Sequence, residues 1–409
     1  MATDRRFLTA QQAADALGVT LATLYAYISR GQLRSEPAPG RPRERRYYRQ
    51  DIERLRERKE IRRDPAKAAA RGLHWGSPVL SSSITLIQDG KVFYRGQDVL
   101  QLAEKATLEQ IAELLWAAEA SEREQLFDQP CPLSPRQLAP LRTSSKDPLV
   151  RLQTALPLAG ARDLSSYDLR PAAVRQTGAR ILRLLAAVVA GRHSQAPVHL
   201  ALGALWMPGK PAVAEAIRTA LVLCADHELN ISAFTARCAA SAGASPYDTV
   251  AAALATLKGR RHGGETERVS ALIAETGAPR RARTVVANRL RREDRLPGFG
   301  HPLYPAGDPR AALLMRLAEA GGNRAEWSLV RALSRAAHEL LRDRPNLDFG
   351  LAALARTYGL PAHAPLVLFA LGRTVGWIAH AIEQYASGDL IRPRANYTGP
   401  AREDFRPPG

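Results

Sequence analysis

At 409 residues, with 58 Lys+Arg against 40 Asp+Glu and a formal net charge of +18, the chain is strongly basic and long enough for two or three domains. An apolar content of 45% excludes a disordered chain. Three cysteines, Cys131, Cys224 and Cys238, have neither metal-ligand nor redox spacing and exclude a disulfide framework, which points to a reducing, cytoplasmic setting. MATDRRFLTAQQ carries no apolar signal core, and no run of 18 apolar residues occurs; the most apolar stretch, residues 351–371, is broken by Arg356, Pro361 and His363. No membrane partner is expected.

The charge is unevenly placed. Residues 1–72 hold 17 Lys/Arg and 9 Asp/Glu, a net of +8, and a pattern accompanies it. Thr9 to Gln12 has the spacing of a capping box, Ala13, Ala14 and Leu17 follow on one helical face, and Gly18 ends the helix. After Val19, Thr20 can cap a second helix, LATLYAYISR, with Leu21, Leu24 and Ile28 inward and Ala22, Thr23, Tyr25, Ala26 and Arg30 outward. Two short helices about a tight turn make a helix-turn-helix, whose second helix enters the major groove. PAPGRPRERRYYR supplies a Pro/Gly turn with five arginines from Arg41 to Arg49, and DIERLRERKE reads as a third helix. Over residues 6–58 this order resembles the winged helix-turn-helix of the MerR and excisionase type, with the basic turn as its wing. Duplex DNA is then the expected partner: Arg30, Arg43, Arg45 and Arg46 meet phosphates, and Thr23 and Tyr25 read bases. A small appendage docked on its neighbour is the alternative. The expected division is 1–60 for this module, 61–76 for a linker and 77–409 for the remainder.

From residue 77 the pattern changes. Alternating apolar positions flank Asp89–Gly90, a hairpin signal. Segments 172–189, 212–224, 247–257, 310–319, 329–341 and 366–385 read as helices, so this region is mainly α. Segment 118–170, rich in Pro and polar residues, is the least interpretable, and no GxGxxG, P-loop or HExxH motif occurs. Four residues stand in glycine-bearing or apolar settings: His227 in ADHELN, His262 in RRHGGE, His301 in PGFGHPLYPAGDPR and Asp348 in NLDFG. The lack of cysteine- or carboxylate-rich spacing argues against zinc, whereas imidazoles with arginines suit polarising carbonyls and holding carboxylates.

YRGQDVLQLAE, ADHELNISAFTARCAAS, GRRHGGE, PGFGHPLYPAGDPRA, NLDFG and LGRTVGWIAHAIEQYASGDLIRPRANYTG follow one another between residues 81 and 399, and in that order they resemble the citrate synthase family. The resemblance implies an all-α fold of a large and a small domain, the small one at about 230–340, in a homodimer that closes over its substrates. It implies condensation of an acyl-CoA, a cosubstrate rather than a bound cofactor, with a 2-oxo dicarboxylic acid, most often acetyl-CoA with oxaloacetate. Asp348 is then the base, His262 the enolate stabiliser and His301 the group that polarises the ketone. His227, Arg310, Arg373 and Arg392 bind the oxo acid, the last from across the dimer. The backbone of Leu296, Pro297, Gly298, Phe299 and Gly300 holds the CoA adenine, and no metal is needed. Two departures stand out. Pro302 and Pro305 occupy positions where the family often has basic residues, and HGGETE replaces an HGGANE-like run, placing Glu265 and Thr266 beside His262. An enzyme with a fused DNA-binding module is the leading reading, because the residue set is intact. A transcriptional regulator that senses CoA thioesters or oxo acids is the alternative, and 2-methylcitrate synthesis or citryl-CoA lysis fits the same residues.

Overall fold

The structure is a computed structural model describing residues 7–30, 33–38, 41–49, 51–52, 55, 80–395, 397 and 399. The expected linker, most of the expected third helix and the Arg43 side chain lie outside the described residues. Two compact units are present: Met1–Ser81 with Pro393–Gly409, and Ser82–Arg392.

In the first unit, helices Ala10–Leu17 and Leu21–Ser29 form around the expected signals. The Thr9 hydroxyl accepts from the Gln12 N–H while the Gln12 side chain accepts from the Thr9 N–H, and Gly18 closes the helix at φ 60°. Thr20 caps the second helix through the Thr23 N–H. Ala13, Ala14, Leu17, Leu24, Leu33, Tyr47 and Ile52 make the core, joined by half-buried Tyr27 and Ile28. Leu21, expected inward, is 37% exposed: the inward face runs Leu24, Tyr27, Ile28, and Leu21 is left on its flank. The basic turn is a hairpin of strands Ser35–Ala38 and Arg41–Tyr48, and a strand not foreseen, Phe7–Thr9, pairs with the long one so that Phe7 faces Tyr48.

The second unit is almost wholly helical. Its hairpin, Thr85–Gln88 with Lys91–Tyr94, turns at Asp89 and Gly90, whose φ values of 53° and 74° suit an Asp-Gly turn with both central residues left-handed. The expected helices appear as Pro171–Ala190, Pro211–Cys224, Pro246–Leu257, Pro309–Gly321, Arg324–Leu341 and Ala364–Ser387. Four of the six open on a proline at the first position, where its missing N–H is no loss. Segment 118–170 resolves into helices Ala120–Leu126, Pro135–Ser144 and Pro148–Gly160. Its prolines start two of these helices, and Pro140 and Pro157 sit inside them, which hid the period.

Helix Ala364–Ser387 is the centre of the main core. Gly359, at φ 69°, ends helix Leu347–Tyr358, so the sequence run at 351–371 belongs to two helices. By length and hydropathy Ala364–Ser387 could cross a membrane, yet its apolar window is entirely buried within the protein. Gly376 lets it pass against Ala225 and Asp226, and its N–H donates to the Ala225 carbonyl at 3.0 Å, which sets the position of the loop carrying His227. A second apolar cluster runs from Val269 to Ala353 and includes Val286, Leu329, Leu333 and Phe349. Helices Ile231–Ser241 and Pro246–Leu257 pack instead into the main core. Helix Leu347–Tyr358 belongs to both, with Leu347, Leu351 and Leu354 in one cluster and Phe349, Ala352 and Ala353 in the other. Asp348 lies in the first turn of this shared helix.

Candidate active site

Asp348, Arg310 and the three histidines are held at a helix end or in a loop beside one, whereas Arg373 stands in the middle of helix Ala364–Ser387. Asn230 caps helix Ile231–Ser241 just after His227, and His262 lies in the turn that leads into helix Glu265–Thr276. Asp308 caps the helix that presents Arg310, and Asn346 caps the one that presents Asp348. Helix ends project side chains into a seam without displacing core residues.

Three histidines, two arginines and the aspartate are brought together. The rings of His227 and His301 lie 5.3 Å apart, edge to face, and Tyr304 packs against both at 5.7 and 4.9 Å. His227 Nε2 is 2.7 Å from the Tyr304 hydroxyl. His301 Nδ1 accepts from the Leu303 N–H at 3.2 Å, so in the neutral ring the proton sits on Nε2. His262 Nε2 is 2.7 Å from Ser232 Oγ, which also receives the Trp377 indole N–H at 3.1 Å. Phe369 lies between His262, at 5.8 Å, and the Arg373 guanidinium, at 4.7 Å.

Both arginines are buried, and their partners leave capacity open. Arg373 Nε donates to the Cys224 carbonyl at 2.8 Å. Arg310 forks onto Asp308 at 3.0 and 2.8 Å, while its Nη1 is buried with no partner among the described residues. Asp308 also accepts the Leu347 N–H at 3.1 Å, which ties Arg310 to the start of the Asp348 helix. Asp348 Oδ1 is likewise sealed from solvent and unpartnered. A buried donor and a buried acceptor without partners are costly in a structural core and expected where a ligand completes the bonding.

The electrostatics follow from burial. Desolvation pushes Asp348 up to about 7, with the Glu265 charge adding to the rise and Arg310 opposing it. Burial, aided by Arg373, lowers His262 to about 3; burial and Arg310 lower His301 to about 4. His227 falls well below its usual range through burial and then Arg310 and Arg373. All three imidazoles are therefore neutral near pH 7.

Other expected residues lie apart. Arg392 is exposed on the extended segment after Gly388 and makes no hydrogen bond or ion pair to the cluster among the described residues. In the 296–300 loop, Leu296 and Phe299 are buried, Phe299 packs on Phe349 at 4.7 Å, the Gly298 carbonyl accepts from the Asn346 N–H at 2.9 Å, and the Gly300 N–H donates to the Arg344 carbonyl at 2.9 Å. Beside Pro305 a cleft of about 90 Å³ is bordered by Arg342 and Arg344. A larger groove of about 490 Å³, between Gln97 and Arg123, contains none of these groups. Among the described residues no cluster of His, Cys, Asp or Glu is arranged to hold a metal ion. Sequence reasoning gave no role to Tyr304, Phe369 or Trp377; the available signal was that 369, 373 and 377 recur every four residues on one helix face.

In the first unit, Tyr25 is 52% exposed and Arg30 and Arg45 are exposed, whereas the Thr23 hydroxyl is 3.0 Å from that of Thr20. Arg45 bonds Ser35, and Arg46 is taken up by Glu36 and by the Phe7 ring 3.9 Å away, a structural use of a residue expected to meet phosphate.

Comparisons with known proteins agree with both units. The family described as "Citrate synthase, C-terminal domain" matches residues 72–394, and a "Helix-turn-helix domain" family matches residues 7–60. The chain therefore belongs to the citrate synthase family and carries a helix-turn-helix domain at its N-terminus. It is 31% identical to "Citrate synthase 2" of Bacillus subtilis over 83% of this chain and 98% of that protein, and 30% identical to the "2-methylcitrate synthase" of Mycobacterium tuberculosis (strain H37Rv) over 76% and 86%. Among solved structures it resembles the Thermoplasma acidophilum citrate synthase determined as a ternary complex with carboxymethyl coenzyme A and oxaloacetate, with a TM-score of 0.71 at 25% identity over 83% of this chain and 98% of that one. It is an acyl-CoA condensing enzyme of this family.

Proposed function

We propose that the protein condenses a short acyl-CoA, acetyl-CoA foremost, with oxaloacetate or a related 2-oxo dicarboxylate and releases CoA. The observation that carries this reading is the unpartnered Asp348 carboxyl, raised to about 7 beside neutral histidines and buried arginines. A thioester α-proton is weakly acidic, so a carboxylate removes it only where a donor stabilises the enolate oxygen. His262 is placed as that donor: its Nε2 is 2.7 Å from Ser232 Oγ, which receives the Trp377 indole N–H and donates to Asn230 Oδ1 at 2.8 Å, and when the Ser232 hydroxyl turns from Asn230 to the ring, His262 offers Nδ1–H to the thioester oxygen. His301 Nε2–H polarises the ketone and protonates the new alkoxide, and His227 binds next to it. Arg310, through its open Nη1, and Arg373 hold the carboxylates. Arg392 reaches the same ligand from the second subunit of a homodimer. The 296–300 backbone holds the adenine, and Arg342 with Arg344 supplies the positive charge that Pro302 and Pro305 lack. Closure excludes water from the enolate and later admits it to hydrolyse the condensed thioester.

The purified chain is expected to liberate CoA thiol from acetyl-CoA or propionyl-CoA with oxaloacetate. A preference for propionyl-CoA would make it a 2-methylcitrate synthase, and release of oxaloacetate from citryl-CoA would reverse the direction. A folded protein that frees no thiol from any short acyl-CoA with any 2-oxo acid would sink the condensation reading.

The N-terminal unit binds duplex DNA in this proposal, supported by Tyr25 exposed on the second helix and by Arg30 and Arg45 exposed around it. With roughly four to six phosphate contacts, affinity drops about 10²–10³-fold between 50 and 200 mM salt. Gel shifts on randomised duplexes that show no complex at low salt would return the unit to a docking appendage. If acyl-CoA or oxaloacetate changes the DNA affinity, the chain is also a sensor.

A further inference from the structure

Glu265 is a buried carboxylate in a position where the HGGANE-like run has a small residue, and its bonds lead in two directions. It opens helix Glu265–Thr276 and is 4% exposed. Its N–H donates to the His262 carbonyl at 2.8 Å. Its Oε1 accepts the Gly298 N–H at 3.3 Å. The other face of the Gly298 residue is also held, because the Gly298 carbonyl accepts the Asn346 N–H at 2.9 Å. Asn346 Oδ1 in turn receives the N–H groups of Asp348 at 3.1 Å and Phe349 at 3.3 Å. One hydrogen-bonded path therefore runs from His262 through Glu265, Gly298 and Asn346 to Asp348. No side chain fits at Gly298 within it: at φ 83°, an added Cβ would stand 2.6 Å from Val269 Cγ2 and 3.1 Å from Phe349 Cβ.

We propose that Glu265 is a positioning residue that holds the His262 turn and the Asp348 helix in register through Gly298, and that its negative charge moves the acid limb of the condensation to higher pH. This rests on the reading of Asp348 as the base. The charges around the pair come from four elements. Arg268, on the same helix as Glu265, approaches its carboxylate at 3.1 Å, and Arg295, from the loop before Gly298, at 3.9 Å. Asp348 is faced by Glu265, by Arg310 and Asp308 from helix Pro309–Gly321 and its cap, and by Arg373 from helix Ala364–Ser387. Burial dominates the upward shift of Asp348, and Glu265 is the next contributor. The Arg310 and Arg373 charges oppose it, so removing the Glu265 charge leaves them to favour the carboxylate.

The test compares wild type, Glu265→Gln and Glu265→Ala as full chains, from pH 5 to 9, by thiol release. Glu265→Gln keeps an acceptor for Gly298 and removes the charge: the acid limb of kcat/KM moves about half to one pH unit lower, with kcat at pH 8 within about threefold of wild type. Glu265→Ala loses the acceptor as well, so plateau kcat falls about tenfold and KM for the acyl-CoA rises. A purely structural glutamate would lower both variants without moving the limb. The second measurement needs no turnover: the Tm difference between Asp348→Asn and its parent, followed against pH, reports Asp348 titration, and its midpoint moves lower in the Glu265→Gln background. Profiles and midpoints that superimpose with wild type would overturn the proposal. Absent thiol release with a shifted midpoint would overturn the condensation reading and leave the electrostatic link standing.

Discussion

Asp348→Asn is expected to lower kcat for thiol release by about 10³-fold or more, with KM for oxaloacetate little changed. Asn has the same shape and accepts no proton, so it removes the base while leaving the Asn346 cap on the helix intact. Wild-type kcat/KM should rise with pH through about 7, because the carboxyl of the free enzyme works only after losing its proton. The same shift makes a stability prediction of opposite sense. The Asp348 pKa is higher folded than unfolded, so ionisation favours the unfolded chain, and the protein loses stability as pH climbs from about 4 to about 7. Asp348→Asn escapes that loss: its Tm should match wild type near pH 4 and exceed it by about 5 °C at pH 8. Thermal melts at the two pH values with kcat at pH 8 test both halves. A fully active variant would remove Asp348 from the chemistry.

Asp308→Asn is expected to cost about 3–5 kcal/mol of stability, the usual penalty for stranding one member of a buried ion pair. Asp308 and Arg310 keep 0% and 3% of their side-chain surface, and among the described residues Asp308 is the one anion hydrogen-bonded to that guanidinium. The substitution leaves Arg310 desolvated with Nη1 already unpaired and weakens the acceptor for the Leu347 N–H. Urea unfolding should show the midpoint falling with the slope unchanged. Adding Arg310→Met should recover part of the loss, since a neutral pair strands no charge, while oxo-acid binding is not recovered. If oxaloacetate protects Asp308→Asn more than wild type, its carboxylate replaces the missing anion at Arg310.

The sequence by itself determined the capped helices of the first unit, the Asp89–Gly90 hairpin and the long helices, because caps, turn residues and a 3.6-residue period are local. It also singled out His227, His262, His301 and Asp348 by their glycine-bearing or apolar settings, while Arg310 and Arg373 came with the resemblance to the citrate synthase family. Only the tertiary structure decided that Leu21 lies on a flank, that Arg46 serves Glu36 and Phe7, and that the 118–170 prolines sit in helices. It alone put Trp377 and Ser232 behind His262, and Glu265 between His262 and Asp348. The Ser232–His262, Glu265–Gly298 and Ser232–Trp377 contacts join residues 30, 33 and 145 positions apart, and the energies that fix them come from burying and pairing polar groups. Local propensity carries no record of which distant side chain will meet a buried polar group, so the residues were legible and their partnerships were not.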